Sequence, residues 1–159
     1  MSKVMQNINI VLLEPEIPAN TGNIGRSCVA TGSVLHLIKP LGFSTDDYYI
    51  KRAGMDYWSQ LDVRYYDNFE DFIAKNNEPP IIMTSSKVEK CYTDVFYPPG
   101  IFIMFGKESA GIPLDILKKY PDTCVRIPMM PGVRCLNLGS SVALVLYEAL
   151  RQLGFPGME

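Results

Sequence analysis

The sequence predicts a single α/β domain, residues 1–159, built on a mostly parallel sheet with helices on both faces. Short apolar runs alternate with helical patterns from one end to the other. The runs Ile81–Thr84 and Ile101–Phe105 are strongly apolar, as in strands covered on both faces. No linker, internal repeat or low-complexity stretch divides the chain.

The elements follow in order. Ile8–Leu13 reads as the first strand, ended by Glu14-Pro15-Glu16-Ile17-Pro18. Asn20 and Thr21 are suitable N-caps for a helix running to about Thr31, and Gly32 supplies its stop. Val34–Ile38 is the next strand, closed by Pro40 and Gly42. Asp46–Ala53 is expected as a short helix, Val63–Tyr66 as a strand and Phe69–Lys75 as a helix. Past the two apolar strands, Pro113–Lys119 reads as a short helix and Cys124–Ile127 as a strand. The last helix starts at Leu138. Leu138, Val142, Val145, Leu146, Ala149 and Leu153 form one apolar face, and Ala143, Leu144, Tyr147 and Leu150 cover much of the rest. A helix apolar nearly all round must be buried nearly all round, either at the centre of a monomer or against a second subunit.

Composition narrows the function classes. With 47% hydrophobic and 20% charged residues, the chain is an ordinary globular protein. No apolar run approaches the roughly 20 residues that span a bilayer. Met1–Asn7 holds one lysine and no apolar stretch of signal-peptide length, so the expectation is a cytoplasmic protein. Cys28, Cys91, Cys124 and Cys135 never form a C-x-x-C pair and His36 is the sole histidine, so no metal site is expected. The net charge of −2 argues against a sequence-blind nucleic-acid coat but leaves room for a local basic patch.

Three loops join strand ends to helix starts, where open α/β sheets bind ligands. Pro18–Arg26 offers two asparagines, two glycines and a cation, suited to phosphate at a helix start or simply to a capped surface helix. Phe105–Pro113 places Glu108 between Gly106 and Gly111. It is neither a Walker loop nor G-x-G-x-x-G, and by itself reads equally as a turn. Ile127–Asn137 sets Arg134, Cys135 and Asn137 beside an apolar helix, where polar groups need partners or a task.

In order and spacing these segments resemble the three motifs of SPOUT RNA methyltransferases, most closely the tRNA (cytidine/uridine-34 2′-O) methyltransferase family. The strings that carry the resemblance are Glu14-Pro15-Glu16-Ile17-Pro18-x-Asn20-Thr21-Gly22-Asn23-Ile24, Arg52-Ala53-Gly54-x-Asp56-Tyr57 and Tyr147-Glu148-Ala149-x-Arg151-Gln152-Leu153-Gly154. Together they extend over nearly the whole chain.

The resemblance implies a carboxy-terminal trefoil knot that binds S-adenosylmethionine, and a homodimer, here expected through the last helix. It implies cofactor contacts at Thr84, Gly106, Ile127 and Cys135, and catalytic or architectural roles for Asn20, Arg26, Glu108 and Asn137. Relatives often carry serine where Cys135 stands, a change that a backbone contact would survive. The expected reaction is 2′-O-methylation of the wobble nucleotide in a tRNA anticodon stem-loop. Lys51, Arg52, Lys87, Arg134 and Tyr147 are candidates for gripping the RNA. Arg26 suits a phosphate clamp better than a base, because a guanidinium stays protonated near neutrality. The rival readings are a SPOUT methyltransferase for another tRNA or ribosomal RNA site, and a catalytically silent RNA-binding module.

Overall fold

A computed structural model describes residues 7–44 and 57–159. The expected helix at Asp46–Ala53 lies outside the described residues. The strands among the described residues are β1 (Asn9–Leu13), β2 (Val34–Ile38), β3 (Val63–Tyr66), β4 (Ile81–Thr84), β5 (Phe102–Phe105) and β6 (Cys124–Val125). They form one sheet in the order β3-β2-β1-β5-β4-β6, with every pairing parallel. The helices are α1 (Pro18–Thr31), α2 (Phe69–Lys75), α3 (Leu114–Leu117) and α4 (Leu138–Leu153).

Alternation along the strands builds two cores. Ile10, Leu12, Leu35, Leu37, Ile82, Ile103, Phe105 and Val125 face α1 and α4, meeting Ile24, Cys28, Val142, Val145, Leu146 and Ala149. Val11, Leu13, Ile38, Ile81, Met83, Met104 and Cys124 face α2 and α3, meeting Phe69, Phe72 and Leu117. Successive residues of a strand point to opposite faces, so strands sandwiched between helices must be apolar throughout. The core of the second face admits one polar cluster. Asn9 Nδ2 donates to the carbonyls of Asn7 and Gly100, turning its oxygen toward His36. His36 Nε2–H donates to Asn9 Oδ1 (2.9 Å), and Nδ1 accepts the Tyr66 hydroxyl (2.7 Å). Burial and then the nearby Arg64 push the His36 pKa down to about 4.

Several boundaries differ from expectation for local reasons. Helix α1 begins at Pro18, and Ile17 stands at the N-cap position with no side-chain cap. The proline sets its own φ and has no N–H to satisfy, so it starts the helix ahead of the expected caps at Asn20 and Thr21. Both lie instead in the first turn, buried. Gly32 does end α1, at φ 68°, with Ser33 N donating back to Cys28 O at 2.8 Å. Helix α3 is shorter than expected, and β6 stops at Val125 because Arg126 pairs only as an isolated bridge with Cys91. In α4 the residues Val142, Val145, Leu146, Ala149 and Leu150 are buried, whereas Leu144 and Tyr147 are exposed. Burial nearly all round is therefore not met within one chain. The second face has Leu150 covered and the rest partly or fully open.

Candidate active site

Strand order reverses between β1 and β5, and ligands of open α/β sheets bind outside the strand carboxyl ends near such a point. The loops leaving β1, β4, β5 and β6 enclose a cleft of about 580 Å³ there. Phe105, Ile127, Leu136 and Leu138 give it apolar walls; Asn20, Ser85, Glu108, Asn137 and Ser141 give it polar ones.

A chain of hydrogen bonds binds the three motif loops together. The Glu108 carboxylate accepts from the backbone N–H of Glu16 (2.8 Å), that of Ile17 (3.1 Å) and Asn20 Nδ2 (3.3 Å). It so takes the place of the missing cap at the start of α1, where a negative charge is favoured. Asn20 Oδ1 then accepts from Asn137 Nδ2 (3.1 Å), and Asn137 Oδ1 caps α4 by accepting from Ser140 N (3.3 Å). Each amide's orientation follows from the one before it. A carboxylate only accepts, so Asn20 must offer it the NH₂ group and show its oxygen to Asn137.

A second set of contacts runs the other way. Glu16 Oε1 accepts from Ser109 N (2.9 Å) and Ser109 Oγ (2.6 Å). The Ser109 hydroxyl, then its amide, and further off Lys107 hold the Glu16 carboxyl below its ordinary pKa. Lys107 Nζ lies 3.6 Å from Glu14, which itself adopts φ 54° at the end of β1. Glu16 and Ser109 escaped the sequence reading. The available signal was a second carboxylate in the loop entering α1.

The remaining site candidates divide. Thr84, Gly106, Ile127 and Cys135 all line the cleft, with Cys135 exposed as a free thiol. Thr84 Oγ1 donates to Met104 O on β5 (2.9 Å), tying the ends of β4 and β5 together. Gly106 has its Cβ position filled by the backbone of Gly111 and Ile112, so it is the loop's own folding that demands a glycine. Lys87 reaches Ala110 O at 3.5 Å and lines the cleft with Arg134. Arg26 is not among the lining residues. It is exposed on α1, its guanidinium 4.9 Å from the centre of the Tyr57 ring. Tyr147 is exposed on α4, also outside the lining. Lys51 and Arg52 lie outside the described residues.

Comparison with known proteins identifies the family. Residues 7–147 match the SpoU rRNA Methylase family. The tRNA (cytidine(34)-2′-O)-methyltransferase of Escherichia coli (strain K12) is 44% identical over 151 residues, 94% of this chain and 96% of that protein. The protein of the same name from Burkholderia ambifaria is 43% identical over 152 residues, 94% and 97% of the two chains. A solved structure described as giving insights into the 2-OH methylation of C/U34 on tRNA superposes with a TM-score of 0.89. It is 38% identical, and the match covers 94% of this chain and 97% of that one. A fold, a cleft at the strand ends and a sequence match spanning most of the described residues converge on one assignment: the chain belongs to the SpoU rRNA Methylase family, within the SPOUT methyltransferases.

Proposed function

We propose that this protein transfers a methyl group from S-adenosylmethionine to the ribose 2′-oxygen of nucleotide 34, cytidine or a modified uridine, in a tRNA anticodon stem-loop. The observation that carries the reading is the hydrogen-bond chain Glu108–Asn20–Asn137, which brings all three motif loops to one cleft. The cleft's volume is within the range of small-molecule sites, and apolar walls beside loop backbone suit a nucleoside-sized cofactor. Thr84, Gly106, Ile127 and Cys135 are the residues that would hold it. When bound, the cofactor supplies a methyl group already activated on a sulfonium.

The protein's tasks are then alignment and charge. Asn20 and Asn137 present fixed amides to the reacting ribose. Glu108 anchors them, its oxygens already accepting from two backbone amides and one side chain. Arg26 clamps a phosphate near the target nucleotide, its plane supported by Tyr57. Lys87 and Arg134 at the cleft, with Lys51, Arg52 and Tyr147, grip the stem-loop. The open face of α4 at Leu144 and Tyr147 fits a homodimer in which the partner covers it. The carboxy-terminal segment through the cleft loops is read as a trefoil knot, and the protein as cytoplasmic.

The test is to add purified protein and S-adenosylmethionine to total tRNA and map the ribose that gains a methyl. A new 2′-O-methyl at position 34 supports the reading. Methyl groups only at another tRNA site or only in ribosomal RNA, or cofactor binding without transfer to any RNA, would each overturn it.

A further inference from the structure

The loop entering α1 is held on two sides. Glu108 grips the backbone N–H groups of Glu16 and Ile17 from one side. On the other side Gly42 packs so closely that a Cβ there would stand 2.7 Å from Glu16 O and 2.8 Å from Glu16 Cα, while Gly42 N donates to Pro15 O at 3.0 Å. Glu16 returns the grip of the β5 loop through its own side chain, which binds the residue next to Glu108, Ser109, by both hydroxyl and amide. The result is a closed ring in which each loop's carboxylate holds the other loop's backbone.

We propose that Glu16 and Ser109 are positioning residues for the reaction. Their clasp sets the register in which Glu108 meets α1, and so fixes the Asn20 and Asn137 amides in the cleft. This rests on the methyl-transfer reading above. Ser140 N–H orients the Asn137 amide from the α4 end, and Glu108 completes the arrangement by holding the Asn20 NH₂ group in the cleft. Without the clasp, residues 108–109 lose the tie from the Glu16 side chain to the Ser109 hydroxyl and amide, and the Glu108 carboxylate holds the amide pair less firmly. Glu16 is itself an ionised acceptor, since its carboxyl is held below the usual range.

The experiment compares Glu16→Gln, Glu16→Ala, Ser109→Ala and the double variant Glu16→Ala/Ser109→Ala. Two readouts are taken: single-turnover tRNA methylation at saturating cofactor, and hydrogen exchange of the Glu16 and Ile17 amides in the protein without ligands. Glu16→Ala and Ser109→Ala should each slow turnover by roughly 10- to 100-fold and speed exchange at both amides by about tenfold or more. The double variant should be no slower than the worse single one, because both act through one clasp. Glu16→Gln keeps an oxygen for Ser109 and should recover most of the rate. Additive losses, no rescue by glutamine, or unchanged exchange in Ser109→Ala would overturn the proposal. Failure of the unaltered protein to methylate tRNA would overturn the functional reading instead. The exchange measurements would then still decide whether the clasp holds Glu108.

Discussion

Gly106 folds back on Gly111 so tightly that a Cβ on residue 106 would overlap the Gly111 carbonyl carbon and the Ile112 nitrogen, and stand 2.6 Å from Gly111 Cα. Gly111 N donates to Lys107 O at 2.8 Å, and Gly111 itself adopts φ 70°. All the obstructing atoms are backbone, which cannot swing aside as a long side chain would. Gly106→Ala should therefore lower stability by about 1–3 kcal/mol or more before any cofactor is added. Urea midpoints of the two proteins measure this. Equal midpoints would mean that the loop opens at no cost.

A cleaner probe of the proposed cofactor site is the thiol at Cys135, exposed at the cleft. Cys28 is buried, its pKa pushed up to about 12 by burial, and burial also raises Cys124. A thiol reagent near pH 8 should modify Cys135 readily and leave Cys28 and Cys124 untouched until the protein unfolds. Saturating S-adenosylmethionine should slow the Cys135 reaction at least tenfold. Labelling unaffected by the cofactor would place its site elsewhere.

Arg26 sits outside the cleft lining, so its role is expected in the RNA step. Arg26→Ala should keep near-normal affinity for S-adenosylmethionine while tRNA methylation falls roughly 30- to 1,000-fold, the loss expected for about 2–4 kcal/mol of charge-assisted bonding. Arg26→Lys should recover little, since an ammonium neither forks across a phosphate nor stacks on Tyr57 as a guanidinium does. Calorimetry and single-turnover rates on the same preparations decide. Parallel loss of cofactor binding and turnover would be incompatible with this role.

His36 makes stability depend on pH. Its folded pKa, about 4, is below the ordinary 6.5, so the unfolded chain takes up the proton first as pH falls. Stability should be complete above about pH 6.5 and decline toward pH 4, by at most on the order of 3 kcal/mol from this residue. The imidazole proton resonances should show no titration above about pH 5. An ordinary midpoint near 6.5 would contradict the buried Asn9–His36–Tyr66 arrangement.

The open face of α4 predicts self-association. At micromolar concentration the protein should sediment at twice the chain mass, and Leu144→Asp should weaken the dimer at least tenfold by placing a charge among apolar groups. An unaltered protein that remains monomeric and active would remove the argument.

Strands were the most legible part of the sequence. Val34–Ile38 and Ile81–Thr84 occur within the expected bounds, because buried runs with helices on both sides leave no polar alternation to misread, and the half-exposed edge strand Val63–Tyr66 was still marked by its β-branched and aromatic residues. The start of α1 was less legible. Pro18 outranked Asn20 and Thr21, and the capping oxygen came from Glu108, far away in sequence. Asn20, Glu108 and Asn137 were found together through motif resemblance, and the structure joins them by hydrogen bonds. Their partnership with Glu16 and Ser109 was hidden, since an interlock between two loops leaves no periodicity in either. The alignment of Arg26 with Tyr57 was equally invisible, depending on where the segment after β2 comes to lie.

The sheet order also constrains how the chain can be made. β1 is the middle of the sheet, and one of its edges pairs with β2 directly after α1, but the other waits for residues 102–105. During synthesis the half-sheet β1–β2–β3 therefore carries an unpaired apolar edge, with Ile10 and Leu12 on one side and Val11 on the other, through the translation of β4 and beyond. Exposed edges of this kind invite pairing with other nascent chains. A ribosome pausing before β5 emerges would leave this product most prone to aggregate, and one that has released β5 would already have closed the centre of the sheet.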